Sequence, residues 1–192
     1  MAFDKKENLS DDELINGYLN GDASEFNVLY ERYRKQLFSY LNRLMPGQHA
    51  LVDDIFQQTW IKVIHQLPKY KSRQRFLAWM MRIAHNLAID HFRRGKFEDN
   101  SVALEDRIKH IKGDSKEPWR QMDMNEIGEA VNWALNRLNP ELREVFTMRQ
   151  DGLSFKEVAE IQGCSINTAL GRMKYALNNL QKLLAEWREG NG

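Results

Sequence analysis

The sequence predicts an all-α protein of two small helical domains joined by a polar linker. Apolar residues recur at three-to-four-residue spacing along most of the chain, which is the period of a helix with one buried face. No alternating apolar and polar segment is long enough to favour a β-sheet. The helical period is lost over residues 97–124, where Gly113 and Pro118 interrupt it, and it returns near Asn125. We therefore expect an N-terminal domain over 1–96, a linker over 97–124 and a C-terminal domain over 125–192.

Four helices are predicted in the N-terminal domain. Ser10 and Glu13 form a capping-box pattern that opens a first helix ending near Asn20. A second helix stops before Pro46 and carries one apolar stripe: Phe26, Leu29, Tyr30, Tyr33, Leu37, Leu41 and Leu44. The third is predicted from about His49 to Leu67, with these residues inward: Ile55, Thr59 and Val63. The fourth is predicted from about Gln74 to Arg94, with Asp90 in register with this inward stripe: Phe76, Met80, Ile83 and Leu87.

Composition argues against a secreted or membrane protein. The chain has 192 residues, of which 42% are hydrophobic. It lacks both an apolar run of roughly 20 residues and the apolar stretch of a secretory signal at its start. Its one cysteine, Cys164, excludes an internal disulfide and is interpreted as a small buried hydrophobe. These features predict a cytoplasmic protein with no membrane contact of its own.

The sequence contains no recognisable catalytic constellation. The five histidines have no histidine partner at i+4 and no cysteine nearby, so no metal site is predicted. A glycine-rich phosphate loop and a nucleophile elbow are also missing. Asp53 and Asp54 are adjacent carboxylates, but neighbouring positions on a helix diverge. We therefore predict no enzyme, no cofactor and no small-molecule substrate.

Positive charge is concentrated in one segment. The chain has 28 basic and 27 acidic residues, yet residues 69–96 hold eight bases and one acid, Asp90. The preceding segment, residues 1–61, is net acidic. This pattern predicts a polyanion partner for one face and a different partner for the acidic one. The alternative is a basic helix face that is simply solvated.

The C-terminal domain carries a helix-turn-helix pattern. Ser154 can cap a first helix, Gly163 supplies the positive φ of a sharp turn, and Ser165 can cap a second helix. The second helix is predicted to bury one stripe: Ile166, Ala169, Met173 and Leu177. Its groove-facing candidates are Asn167, Thr168, Leu170, Gly171, Arg172, Lys174 and Tyr175. A plain helical hairpin is the alternative. Because this domain is net acidic, it is expected to bind DNA weakly alone.

Three segments together resemble the extracytoplasmic-function (ECF) sigma factors, the two-domain initiation factors of bacterial RNA polymerase in the sigma-70 family. These segments are DDIFQQTWIKVI, RQRFLAWMMRIAHNLAIDHFRR and LNPELREVFTMRQDGLSFKEVAEIQGCSINTALGRM. The resemblance covers nearly the whole chain. It implies a helical domain that binds core polymerase and the promoter −10 element, a linker, and a helix-turn-helix that binds the −35 element. The implied partners are core RNA polymerase through its β′ and β subunits, promoter DNA and an anti-sigma factor.

The resemblance implies which residues meet the polymerase. The third helix would dock on the β′ coiled coil through these residues: Asp53, Asp54, Gln57, Gln58, Trp60 and Ile61. Gln58 stands where many members have Glu, so an ionic contact is missing at that position. Trp60 is expected to be an exposed aromatic anchor, with packing in the core as the alternative.

The resemblance also implies how DNA is read. The loop after the third helix and the fourth helix would capture unpaired −10 bases through Lys71, Ser72, Arg73, Arg75, Arg82, Asn86, Arg93 and Arg94. Phe76 and Trp79 are candidate stacking platforms, although core packing is favoured for both. The −35 element would be read by Ser165 and the groove-facing residues of the second helix of the helix-turn-helix. Leu170 and Gly171 depart from the family pattern, so the promoter sequence cannot be transferred from other members.

Two other classes of function remain open at the level of sequence. A stand-alone helix-turn-helix regulator would bind duplex DNA tightly without polymerase, usually as a dimer. A helical adaptor would use its acidic face for protein contacts alone, and its basic segment would have no role in DNA binding.

Overall fold

The computed structural model describes residues 6, 8–71, 75–98 and 124–191. Side chains at 94–98, 124, 125, 190 and 191 are outside the description, and with them that of the predicted −10 residue Arg94. Most of the predicted linker and the predicted −10 residues Ser72 and Arg73 are also outside it. The described residues form eight α-helices and no β-strand. The helices are α1 (Asp11–Leu19), α2 (Ala23–Leu44), α3 (His49–Gln66), α4 (Phe76–Glu98), α5 (Met124–Arg137), α6 (Pro140–Gln150), α7 (Phe155–Gln162) and α8 (Ile166–Asn191). The all-α prediction is confirmed, whereas the domain boundaries remain predictions.

The N-caps predicted at Ser10 and Ser154 are both present, each as part of a capping box, and they set where two helices begin. At α1 the Ser10 backbone N–H donates to the Glu13 carboxylate at 2.7 Å, and the Glu13 N–H donates back to Ser10 Oγ. At α7 Ser154 and Glu157 repeat the same reciprocal pair. Each box satisfies backbone donors that the first helical turn leaves unpaired. The sequence therefore located these two starts correctly.

The N-terminal helices α1–α4 bury the stripes that their spacing predicted. Buried residues on α2 include Leu29, Leu37 and Leu41, and those on α3 include Ile55, Thr59 and Val63. On α4 the predicted apolar residues Phe76, Met80, Ile83 and Leu87 are buried, whereas Asp90, expected in register with them, is exposed. A 3₁₀ turn at Leu67–Lys69, with Pro68 inside it, separates α3 from the segment leading into α4.

The C-terminal helices form a helix-turn-helix in α7 and α8. Gly163 ends α7 with φ 62° and ψ 34°, the left-handed conformation that a glycine adopts at no steric cost. The predicted inward stripe of α8 is partly wrong: Ala169 is buried, but Ile166 and Leu177 are exposed. The inward face is centred on Ala169, Ala176 and Leu180 at spacings of seven and four. Ile166 and Leu177 lie at the margin of that face, where the neighbouring helices do not reach.

The two sets of helices pack directly against each other. Helix α2 contacts α6, and α4 contacts α7. One apolar cluster runs through both sets and includes Tyr40 and Met80 from the N-terminal helices with Val145 and Val158 from the C-terminal ones. This packing brings the basic helix α4 beside the first helix of the helix-turn-helix.

Candidate DNA-binding and polymerase-binding surfaces

Four predicted −10 residues lie on one exposed line, three of them on α4 and Arg75 immediately before its first residue. Arg75, Arg82, Asn86 and Arg93 follow one another at intervals of seven, four and seven residues, and all four are exposed. At 100° per residue these positions fall within about 40° of one another. We call these four residues the α4 stripe. Because of the helical repeat, residues that are far apart in the sequence form a line of three guanidinium groups and one amide.

An aromatic side chain lies within the same line. Trp79 is half-buried, with its ring centroid 4.9 Å from that of Tyr70 and 5.7 Å from that of Phe76. Phe76 is only 1% exposed, so it packs in the core and is not a stacking platform. Lys71 is exposed on the segment before α4. Of the two candidate stacking platforms, Trp79 is the one that remains accessible beside the arginines.

A cleft of about 440 Å³ separates the amino-terminal half of the α4 stripe from α7. Its lining includes Arg75, Trp79 and Arg82 on one side and Lys156, Glu157 and Glu160 on the other. Arg75 Nη1 donates to the Gly152 carbonyl at 3.0 Å and lies 3.9 Å from the Glu157 carboxylate. The sequence did not indicate this juxtaposition, since the two walls are about eighty residues apart.

The exposed face of α3 matches the residues proposed for polymerase binding, with one exception. Asp53, Asp54, Gln57 and Gln58 are exposed, and Gln58 Nε2 donates to Asp54 Oδ2 at 2.8 Å. The accessible apolar residues on this face are Ile61, which is 55% exposed, and Ile64, which is 36% exposed.

Trp60 corrects the expectation of an exposed aromatic. It is 6% exposed, and its ring centroid lies 4.9 Å from that of Tyr30 and 5.8 Å from that of Phe26. The aromatic side chains of α2 surround the indole and exclude it from the surface. Trp60 therefore packs in the core, which was the alternative stated from the sequence.

The start of α8 presents most of the predicted −35 residues. Ser165 Oγ accepts a hydrogen bond from the Thr168 N–H at 3.0 Å, so Ser165 caps the helix as predicted. The exposed residues of the predicted set are Ser165, Asn167, Thr168, Leu170 and Lys174, whereas Gly171, Arg172 and Tyr175 are partly buried. Cys164, in the turn before α8, is partly buried and is a free thiol.

Arg172 is committed to contacts inside the helix-turn-helix. Its Nη1 donates to Gln162 Oε1 at 2.9 Å, and its Nη2 donates to the Glu141 carboxylate at 2.7 Å. The guanidinium therefore joins α8 to the end of α7 and the start of α6. This geometry favours a role in orienting the helix over direct contact with a base.

A buried carboxylate that the sequence reasoning missed joins the two sets of helices. Glu144 on α6 is 5% exposed and accepts hydrogen bonds from Tyr40 Oη at 2.5 Å and from Gln162 Nε2 at 2.9 Å. His85 Nδ1 lies 2.6 Å from the same carboxylate. The one sequence feature that could have indicated burial of Glu144 is its position on the same helix face as Met148, four residues on. It could not have indicated which partners Glu144 meets.

The environment of Glu144 keeps its carboxyl ionised. Burial by itself raises the pKa, but hydrogen bonds from His85, Tyr40 and Gln162 outweigh burial and lower the Glu144 pKa from its ordinary value of 4.5. Burial and the neighbouring Glu144 carboxylate raise the pKa of Tyr40 well above 10, which keeps its hydroxyl protonated as a donor. The pair is thus a neutral phenol donating to a buried anion.

No group of His, Cys, Asp and Glu suited to holding a metal ion occurs among the described residues. Within the same part of the chain, no helix combines the length and apolar character needed to cross a bilayer.

Comparison with known proteins identifies the class that this architecture defines. Residues 29–98 match the sigma-70 region 2 family, and residues 129–177 match the sigma-70 region 4 family. The chain is 28% identical over 182 residues to the RNA polymerase sigma-H factor of Pseudomonas aeruginosa, covering 91% of this chain and 93% of the relative. It is 31% identical over 175 residues to the ECF RNA polymerase sigma-E factor of Escherichia coli strain K12, covering 87% and 90%.

A solved structure shares the fold. The sigma factor RpoE of Bartonella quintana, determined in complex with the anti-sigma factor NepR, matches with a TM-score of 0.63 at 23% identity, covering 85% of this chain and 98% of that chain. Region 2 followed by region 4 defines a promoter-recognising sigma factor of RNA polymerase. The chain belongs to the ECF group of the sigma-70 family. Sigma factors are non-catalytic initiation factors.

Proposed function

We propose that this chain promotes DNA opening within the polymerase holoenzyme by capturing unpaired −10 bases along the α4 stripe. The observation that carries this proposal is the alignment of Arg75, Arg82, Asn86 and Arg93 on one exposed line. From Arg75 to Arg93 the line is about 27 Å long at 1.5 Å per residue. Cations at this spacing can follow the backbone of a few nucleotides, while Trp79 offers a surface for stacking.

The −35 element is read by the start of α8. Asn167 and Thr168 can bond base edges or phosphates, and exposed Leu170 suits the methyl group of thymine. Lys174 adds a cation for a phosphate one turn further on. Arg172 supports this reading indirectly, because its contacts with Glu141 and Gln162 hold α8 in place.

Core polymerase binds the exposed face of α3. This face combines carboxylates and amides with accessible apolar side chains, of which Ile61 is the most exposed, and this suits an interface centre surrounded by polar groups. Ile61 therefore takes the anchoring role first expected of Trp60. The chain works without a cofactor, metal or small-molecule substrate, catalyses no reaction itself and resides in the cytoplasm. An anti-sigma factor is a further partner, since a similar fold was solved in complex with one.

Transcription with purified bacterial core polymerase on promoter fragments from the source genome tests the proposal. Discrete start sites are expected only when both core and this chain are present. The double variant Arg75→Ala/Arg82→Ala is expected to retain core binding but lose permanganate reactivity of unpaired thymines near −10. Lys35→Ala, an exposed lysine on α2 away from the stripe, is the matched control and should open DNA normally.

Two results would contradict the proposal. Tight duplex binding without core, and no start sites with it, would favour a stand-alone regulator. Normal permanganate reactivity in the double arginine variant would remove the α4 stripe from DNA opening.

A further inference from the structure

The first turns of α8, at the proposed −35 surface, expose large apolar side chains. Ile166 is 47% exposed and Leu170 is 44% exposed, and the two lie four positions apart on one side of the helix. Four residues advance an α-helix by about 6 Å, which is close to two base-pair steps of about 3.4 Å. A helix lying in the major groove would thus bring apolar surface to neighbouring base steps. Such surface recognises the C5 methyl group of thymine.

Most hydrogen-bonding groups beside this apolar pair are already bonded within the helix-turn-helix. The hydroxyls of Ser165 and Thr168 lie 2.8 Å apart, and Ser165 Oγ also accepts the Thr168 N–H. Both terminal nitrogens of Arg172 donate inside the motif, to Gln162 and Glu141. A guanidinium fork is the group that most often reads guanine in the major groove. In α8 that fork is occupied.

Asn167 differs from these residues because its amide is available. The residue is exposed, and its amide is bonded to no other residue within the described part of the chain. An amide carries a donor and an acceptor on the same carbon, and this pair matches the N7 acceptor and N6 amino group of adenine. At 100° per residue, Asn167 and Leu170 point within about 60° of each other, so both can face one groove.

Gly171 allows the close approach that such short side chains need. It lies about 40° from Asn167 around the helix axis and so faces the same groove. A Cβ at Gly171 would meet nothing within 4 Å, so the fold itself does not require a glycine there. Apolar contact with a methyl group requires heavy atoms within about 4.5 Å. The missing side chain lets the helix lie nearer to the base edges, within reach of Asn167 and Leu170.

We propose that this chain recognises a −35 element built on A·T base pairs: Asn167 bonds the edge of an adenine, while Leu170 and Ile166 pack on thymine methyl groups. The inference deepens the −35 reading proposed above and rests on it, because it requires the start of α8 to lie in the major groove. Lys174 contacts a phosphate in the same arrangement and adds affinity that does not depend on sequence.

Base analogues in the −35 element test these contacts in holoenzyme assembled from core polymerase and the full chain. A promoter library with a randomised −35 element is first selected by transcription, and A·T pairs are expected at the positions where exchange for G·C lowers initiation. Deoxyuridine in place of thymidine then removes only the C5 methyl, and 7-deazaadenine removes only the N7 acceptor. The first exchange should weaken promoter binding about fourfold per contacted methyl, and the second about fivefold.

Alanine variants assign each contact to its residue. Leu170→Ala should abolish the response to deoxyuridine at one thymine and Ile166→Ala at a second. Asn167→Ala should abolish the response to 7-deazaadenine. Each variant should keep its response to the other analogue, because a general loss of structure would weaken binding to modified and unmodified DNA alike.

Two residues further along α8 provide matched controls. Leu177 is 43% exposed and lies about 10 Å beyond Leu170 along the helix, away from the amino-terminal turns that meet base edges. Leu177→Ala should therefore keep the response to deoxyuridine. Asn179 is also exposed, and Asn179→Ala should keep the response to 7-deazaadenine.

Three outcomes would overturn the inference: selected −35 elements whose required positions are G·C pairs, a wild-type holoenzyme indifferent to either analogue, or a response to deoxyuridine at every thymine that persists in Leu170→Ala. Failure of the proposed function would look different. Absent start sites with core, or start sites whose yield does not depend on the −35 sequence, would mean that α8 does not read this element, and the inference would fall with it.

Discussion

Arg172 and Glu141 are joined at 2.7 Å across the helix-turn-helix, from the middle of the recognition helix α8 to the start of α6. The same guanidinium donates to Gln162 at the end of α7. Three helices are therefore oriented by one planar, forked side chain. An ammonium group cannot reproduce this geometry, because it lacks the fixed angle between two parallel donors.

We expect Arg172→Lys to lower the free energy of unfolding by about 0.5–1.5 kcal/mol, since one of two hydrogen bonds is lost from a partly exposed site. Lys174→Ala should leave stability within about 0.5 kcal/mol, because Lys174 is exposed. Lys174→Ala should also make −35 binding by the holoenzyme less sensitive to salt, by about one released counterion. Urea denaturation and salt titration measure the two effects, and the reverse pattern would mean that Arg172 contacts DNA while Lys174 does not.

The two glycines of the reading motif should respond oppositely to alanine. Gly163 has φ 62°, so Gly163→Ala should destabilise the chain by about 1–2 kcal/mol. Gly171 is helical, and a Cβ there would meet nothing within 4 Å, so Gly171→Ala should stabilise it by up to about 1 kcal/mol. Denaturant titration of both variants gives the signs. A stabilised Gly171→Ala chain with reduced −35 binding would indicate close approach of this backbone to DNA.

Trp60 and Ile61 are adjacent on α3 and should separate folding from polymerase binding. Trp60→Ala removes a buried indole and should cost about 3–5 kcal/mol of stability. Ile61→Ala should change stability by less than about 0.5 kcal/mol yet weaken the affinity for core polymerase several-fold. Thermal unfolding and a core-binding titration provide the two readouts. Full core affinity in a folded Ile61→Ala chain would exclude Ile61 as the anchor.

The Glu144 carboxylate should make stability depend on acid pH. Its folded-state pKa is lowered below 4.5, so its contribution is fully present above about pH 4.5 and is lost as the pH falls through the folded-state value. The difference in unfolding free energy between the wild type and Glu144→Gln should therefore shrink as the pH falls below about 4.5. Urea denaturation at stepped pH measures this. A difference that grows on acidification would mean that the carboxyl is protonated in the folded state.

Much of the local structure could be predicted because its causes lie within a few residues. The capping boxes at Ser10 and Ser154 and the left-handed turn at Gly163 depend on neighbours three or four positions away. The inward residues of α4 follow from the same short period. The prediction for α8 was less accurate, since Ile166 and Leu177 lie at the margin of its stripe, where burial depends on how far the neighbouring helices extend.

The sequence by itself determined the all-helical fold class, the helix-turn-helix and the membership of the ECF sigma factors, because periodicity, caps and motif order are written along the chain. Only the tertiary structure decided that Trp60 is buried while Ile61 is exposed, that Arg172 bonds Glu141, and that Glu144 meets Tyr40 and His85. Those outcomes depend on which helix faces pack together, and Glu144 lies 104 positions from Tyr40 and 59 from His85. Pairings over such separations are set by the packing of the whole core, which no local pattern encodes.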